Sequence, residues 1–402
     1  MSLEQILDGI TADPLLWSDF NALCDAGGRQ AGSDSAASAF TFAAIRMAAI
    51  GTVCNEPSAY AGWTCHEARV VHEPSGRLIH AVPLLGSMGC ENLVLETRDM
   101  GRGAPGQFGP AGGMAGLAAM VRHEYPFATH TVHRRVKLAA AAQAGAGAVF
   151  VVQPEPGLGP VSGSSGRNGG AGIPGLGIGV EDAALLASGG RVRITIAAED
   201  HPAETPNLVM EMPGRTSGMV VLSAHLDGHA LGESALDNAT GVAAALCLAR
   251  AMAPHVAGCE NGLMLCLFGA EEWALAGSRA WLAAQPVERL ARMRMNLNLD
   301  SVAGHGQLTA LTSGFAELEE FLRGAWPSLA VHEPLMANSD HANFAAIGVP
   351  AARIIAGFNA PQSNLRFLLT AADRRRLTSD GELRAATLAA ARMLWAALTL
   401  SR

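Results

Sequence analysis

The stretch 218–300 decides the fold. GMVVLSAHLDG (218–228), ESALDNATGVAAALCLARAMA (233–253), GLMLCLFGAEEWALAGS (262–278) and MRMNLNLD (293–300) supply apolar runs separated by helical patterns. Short apolar runs bounded by turn residues read as buried strands, and the longer periodic segments between them as helices. The alternation resumes in GFAELEEFLRGAW (314–326), VPAARIIAG (349–357) and SDGELRAATLAAARMLWAAL (379–398). It predicts an α/β fold in which a mostly parallel mixed sheet is sandwiched by helices. In such sheets ligands bind at the carboxyl ends of the strands.

Acids and histidines collect at those ends. His225 and Asp227 follow the first apolar run, Asp237 opens a helical pattern, Glu271 and Glu272 follow the second run, and Asp300 closes the third. His341, in NSDHANF (338–344), lies farther downstream. Zinc takes imidazole nitrogen and carboxylate oxygen, and a catalytic zinc keeps one position for water. The inventory therefore suits two zinc ions, with Asp237 shared, His225 and Asp300 on one ion and Glu272 and His341 on the other. Manganese or cobalt would accept the same donors. Two cations about 3.5–4 Å apart acidify a shared water and polarise a carbonyl. Glu271 is left over as the general base, and Asp227 is placed to orient the His225 ring. Singly, each residue has a plainer reading: Asp237 as a helix cap, the two glutamates as acids at a helix start. Those readings do not explain why all of them gather on one sheet edge.

The remaining composition narrows the function. The 402 residues are 49% hydrophobic and 16% charged, with a net charge of −8 and a mean hydropathy of +0.21. Such a chain has material for two or three packed domains and no basic surface for nucleic acid. No uninterrupted apolar run reaches the roughly 18 residues of a membrane span. The start, MSLEQILDGITADPLLW, lacks the pattern of a secretory signal, so a cytoplasmic location is expected. Seven scattered cysteines without CxxC spacing read as reduced thiols. His229, His255, His305 and His332 read as loop or surface residues, of which His229 alone is near enough in sequence to the site to touch substrate.

Three segments follow. Residues 1–75 begin with helical material, including SAASAFTFAAIRMAAI with Asp34 or Ser35 as its cap. Residues 76–203 are glycine-rich and form an inserted smaller unit, in which VKLAAAAQAGAGAVFVV reads as helix then strand and GRVRITIAAE as a half-exposed strand. Residues 204–402 carry the strand–helix alternation and the metal-binding inventory.

HLD (225–227), LDNATG (236–241), GAEEWALAGS (269–278), NLD (298–300) and SDH (339–341) together resemble the zinc exopeptidases of the aminopeptidase Y and glutamate carboxypeptidase II type. TPNLVMEMPG (205–214) and GGRQAGSDSA (27–36) are similar to further parts of that family, and the segment 136–186 resembles the protease-associated domain that some members insert. The resemblance implies a metal-dependent exopeptidase acting on a peptide or aminoacyl substrate, most simply an aminopeptidase. Relatives place a carbonyl-polarising tyrosine late in the chain, whereas here only Tyr60 and Tyr125 exist. Stabilising the oxyanion is then expected to rest on the metals, a backbone N–H, or a group of the C-terminal loop such as Asn364 or Arg366. Glu233 is the candidate for holding a free α-amine. Arg353 or Arg366 would hold a carboxylate if the enzyme were instead a carboxypeptidase or N-acyl amino-acid hydrolase. A non-catalytic binding protein on the same scaffold is the alternative of another class.

Overall fold

A computed structural model describes residues 2–401 and contains two eight-stranded sheets. The first has the order Cys54–Asn55, Leu208–Met212, Gly262–Phe268, Met219–His225, Met293–Leu299, Ala351–Ala356, Leu308–Leu311, Ala330–His332. Its four central strands, from Gly262–Phe268 to Ala351–Ala356, run parallel. Leu208–Met212 and Leu308–Leu311 pair with them antiparallel. The strands Met219–His225, Gly262–Phe268 and Ala351–Ala356 are buried along their whole length, which is why they read as continuous apolar runs.

The chain leaves Met219–His225 toward Gly262–Phe268 on one side, then crosses back to Met293–Leu299 on the other. That reversal makes a crevice at the carboxyl end of Met219–His225, where α/β sheets bind ligands. The helix Thr240–Val256 descends from the crevice with 12 of its 17 residues buried, its first ten without a break. The segment Ala235–Val256 is long and apolar enough to cross a membrane, but 72% of its apolar window is buried inside the fold, so it is a core helix. The helix Asp380–Thr399 packs against it, as do the N-terminal helices Leu3–Ala12 and Leu15–Asp25. Arg250, on the core helix, pairs with Asp13 at 2.7 Å and with Asp19 at 3.0 Å, tying those N-terminal helices down.

The second sheet takes its first strand from Ser58–His72, ahead of the change in composition near residue 76, and its last from Arg191–Thr205. These two long strands mix polar with apolar residues and are half exposed, so the boundary does not coincide with the glycine-rich sequence. Behind them, Cys90–Asp99, Leu117–Arg122, Ala148–Gln153 and Gly175–Gly179 run parallel. The expected helix and strand appear as Arg134–Gln143 and Ala148–Val152 with Gln153. Two local expectations shift. Ser33, rather than Asp34 or Ser35, caps Asp34–Ala48, its hydroxyl accepting from the Ala36 N–H at 3.2 Å. The helix expected from Glu271 starts only at Ala276, because residues 270, 274 and 275 take positive φ and turn the chain first.

Candidate metal centre

The site grows from the turns that follow three parallel strands. His225 ends Met219–His225, Asp300 follows Met293–Leu299, and Glu271 and Glu272 sit in the turn after Gly262–Phe268. Asp237 enters from the loop leading into the core helix. His225 Nε2 lies 3.1 Å from Asp237 Oδ1 and 3.5 Å from Asp300 Oδ1. Donor atoms of His225, Glu271 and Asp300 fall within 4.8 Å of one another, and so do those of His225, Asp237 and Glu272. Thus the structure assembles four of the five expected ligands with the expected base, from segments 75 residues apart in sequence (His225 to Asp300).

Buried main-chain contacts hold these groups in place. The Asp227 carboxylate accepts the N–H of Glu271 at 3.0 Å and that of Glu272 at 3.2 Å, so it shapes the turn carrying both glutamates. The His225 ring is oriented chiefly by the Asp227 backbone carbonyl, 3.1 Å from Nδ1, with the Asp227 carboxylate farther away at 3.7 Å. Asp227 therefore orients the ring as expected, but mainly through its main chain. Arg29, fully buried, donates to the carbonyls of Leu226 (2.8 Å), Glu233 (2.8 Å) and Ser234 (2.7 Å), clamping the 226–234 loop. Asp373 accepts the N–H of Leu236 at 2.9 Å beside Asp237. Neither Arg29 nor Asp373 stood out in the sequence. For Arg29 the one available signal was its place in GGRQAGSDSA.

Electrostatics favour cations here. Burial, joined by the neighbouring acid Glu272, pushes the Glu271 carboxyl well above its ordinary value, and burial with Asp237 does the same to Glu272. Burial opposes the Asp300 charge too, yet Arg353 at 3.0 Å and His225 keep that carboxyl below its ordinary value. His225 Nε2 and Glu272 Oε1 are buried without a hydrogen-bond partner. Separations of 3.1 and 3.5 Å match the roughly 3.3–3.4 Å edges of a tetrahedron with zinc–ligand bonds of about 2.0–2.1 Å. The donor set fits divalent zinc.

Other expectations change. His341 opens the short helix His341–Ala346 and belongs to neither cluster; both its ring nitrogens are buried without partners, and its charged neighbours are Arg353 and Asp300. Asp340 beside it accepts from Ser278 at 2.5 Å instead of supporting an imidazole. Glu233 is bound by Arg375 at 3.1 Å, Arg353 by Asp300 and the Asn338 carbonyl, and Arg366 by Glu155 at 3.3 Å. All three thus already have charged partners in this structure. Asn364 donates to the Leu377 carbonyl at 2.7 Å, and Tyr125 to the Gly357 carbonyl at 2.7 Å, so neither is a free carbonyl-polarising group. His229, in contrast, is no surface residue: it is 3% exposed, with Nε2 2.7 Å from Glu272 Oε2.

The second sheet reaches this centre. Arg134, at the start of Arg134–Gln143, is buried, and Glu272, Asp237 and Glu271 are the acids that act on its charge. Its guanidinium covers Gly163, where a Cβ would meet Nη2 at 2.1 Å, and Nε donates to the Ser164 carbonyl at 2.8 Å. Nearby, Trp273 packs edge-on to Tyr60 at 5.9 Å, fastening the glutamate turn to the strand Ser58–His72.

With that geometry established, the relatives are informative. Residues 207–393 match the model of peptidase family M28. A probable lipoprotein aminopeptidase, LpqL, of Mycobacterium tuberculosis is 30% identical over 122 residues, covering 30% of this chain and 24% of the relative. A probable leucine aminopeptidase 2 of Aspergillus fumigatus is 26% identical over 267 residues, covering 61% of this chain and 51% of the relative. The chain thus spans between about a quarter and about half the length of these curated relatives. Among solved structures, BSAP, a zinc aminopeptidase from Bacillus subtilis, superimposes with a TM-score of 0.77 at 23% identity, over 96% of this chain and 94% of that one. An M28 peptidase precursor from Shewanella amazonensis reaches 0.79 at 20% identity, over 100% of this chain and 96% of that one. These likenesses establish the shared α/β fold.

Proposed function

We propose that this chain is a metal-dependent peptidase that holds two zinc ions and releases N-terminal residues from peptides. The observation that carries the reading is the convergence of His225, Asp237, Glu272 and Asp300 with a spare carboxylate, Glu271, at the same strand ends. A pair of divalent cations in such a site supplies Lewis acidity and acidifies water. The chain's own residues do the rest. Glu271, whose carboxyl binds a proton unusually well because it is buried, takes the proton from the attacking water and returns it to the departing amine nitrogen. Asp227 keeps Glu271 and Glu272 pointing apart by fixing both of their N–H groups. The aminopeptidase assignment is supported by the names of the relatives. The protease-associated character of the second unit and a cytoplasmic location belong to the same proposal, the latter supported by seven unpaired cysteines.

A second reading is favoured by Arg134, a buried cation whose charge is acted on by Glu272, Asp237 and Glu271. It suits the carboxylate of a carboxypeptidase or N-acyl amino-acid hydrolase substrate. Rates on aminoacyl anilides and on their N-blocked counterparts separate the two. Cleavage of free-amine substrates alone supports the aminopeptidase, and cleavage of blocked substrates alone overturns it. Loss of activity on chelation and its return with zinc is expected in either case.

A further inference from the structure

We propose that the second unit binds one monatomic anion, a halide such as chloride, in a void between the start of the helix Arg134–Gln143 and the segment 122–124 that follows the strand Leu117–Arg122. The site lies outside the metal-binding turns and does not depend on the proposed peptidase activity.

The charges around the void do not balance. Glu124 is the one acid that lines it, against Arg122, Arg134 and Lys137. That carboxylate is already shared, accepting from Lys137 Nζ and from Arg102 Nε at 2.6 Å each. Arg122 is exposed, but Lys137 is 1% exposed and Arg134 7%. The Lys137 ammonium has two acceptors, Glu124 and the Arg122 carbonyl at 2.7 Å, which leaves one of its three N–H bonds unmatched. The helix adds to the excess. Its first turn holds Arg134, Arg135 and Lys137 and no acid, so three cations sit at the end where the backbone dipole is itself positive.

Two imidazoles supply donors. His123 is 8% exposed and lines the void, and among the described residues its ring makes no hydrogen bond. Burial, with the charges of Arg134 and Lys137, pushes it down to about 3, so it is neutral and offers one N–H. His133 also lines the void; its Nδ1 accepts the Arg135 N–H at 3.2 Å, which puts its proton on Nε2. An anion between them answers the imidazole N–H groups, the ammonium and the helix start together. A water molecule could take the hydrogen bonds but would leave the buried positive charge uncompensated.

Size selects the kind of anion. The centre of a water-sized sphere can range over about 10 Å³ in the void. That is room for roughly one water. A halide is only slightly wider, whereas sulfate and phosphate are excluded.

Crystals of the full chain grown in bromide, with diffraction recorded at the bromine edge, test the site directly. A peak lined by His123 and Lys137 is expected. Bromide at surface positions only, or water alone in the void, overturns the proposal. Thermal melting in chloride and in gluconate at equal ionic strength gives a second readout. The parent should melt roughly 1–3 °C higher in chloride. His123→Phe removes the N–H and should melt alike in the two salts, whereas loss of a purely structural contact would lower both melts and keep the difference. Equal melting of the parent in the two salts, or a chloride difference retained by folded His123→Phe, contradicts the assignment. Should that variant fail to fold, the bromide map and the parent melts still decide.

Discussion

The two sheets have the same number of strands, but their longest strands differ in how far they are covered. In the first, three of the four central strands are buried from end to end; in the second, Gly175–Gly179 is, but Cys90–Asp99 has one fully buried position and Ser58–His72 has a run of exposed ones. A sheet covered on both faces cannot shift register without exposing apolar side chains, so the turns at its carboxyl ends are fixed. Metal donors on those turns are held in place before any ion arrives. The half-exposed sheet contributes side chains that reach in, Arg134 and Ser162, rather than the reacting groups. One sheet therefore sets the chemistry, and the other shapes what meets it.

The largest effect should come from the chemistry of the first sheet. Glu271→Gln keeps the shape of the turn and removes the proton carrier; we expect turnover to fall by about 100-fold to 10,000-fold with metal content unchanged. Rate and zinc content measured on the same preparation check this, and an undiminished rate would move the general base elsewhere.

Burial predicts the next contrast. Leu265, fully buried in Gly262–Phe268, should cost about 2–5 kcal/mol when changed to alanine, and Leu93, partly buried in the second sheet, less than about 2 kcal/mol. Urea unfolding of the two variants measures the difference, and equal losses would erase the distinction between the sheets.

The smallest effect is a pH dependence belonging to the second unit. Burial opposes ionisation of Glu124, but Lys137 at 2.6 Å and Arg102 at 2.6 Å hold its carboxyl below the ordinary value. A depressed folded pKa stabilises above the unfolded value, about 4.3, and the benefit disappears as pH falls through the folded value. The stability gap between the parent and Glu124→Gln should therefore be present at pH 7 and close below about pH 4. A gap that persists in acid would show that the pairing is not what stabilises.

Much of this was legible in the sequence because burial writes itself as composition. Apolar runs at 219–225, 262–268, 293–299 and 351–356 locate four parallel strands, and the acids after three of them mark the crevice. The short strands Leu308–Leu311 and Ala330–His332 were not legible, being too brief to show a period. The start of the second sheet was hidden because Ser58–His72 is half exposed and mixes polar with apolar residues without a clean alternation. Among site residues, His225, Asp237, Glu271, Glu272 and Asp300 follow from their places at strand ends. His341, expected as a ligand, opens a short helix and is in neither donor cluster, a placement set by tertiary packing that leaves no local mark in the sequence. Arg29 escaped because its role depends on long-range contacts to the carbonyls of 226–234, and the burial of His229 against Glu272 is likewise set by distant packing.

Anomalous diffraction at the zinc edge, from crystals of the full chain grown with zinc, bears most directly on the central claim. The account predicts two peaks about 3.5–4 Å apart, both contacting Asp237, one against His225 and Asp300 and the other against Glu272. An absence of zinc between these side chains, with the ion bound elsewhere, would contradict it.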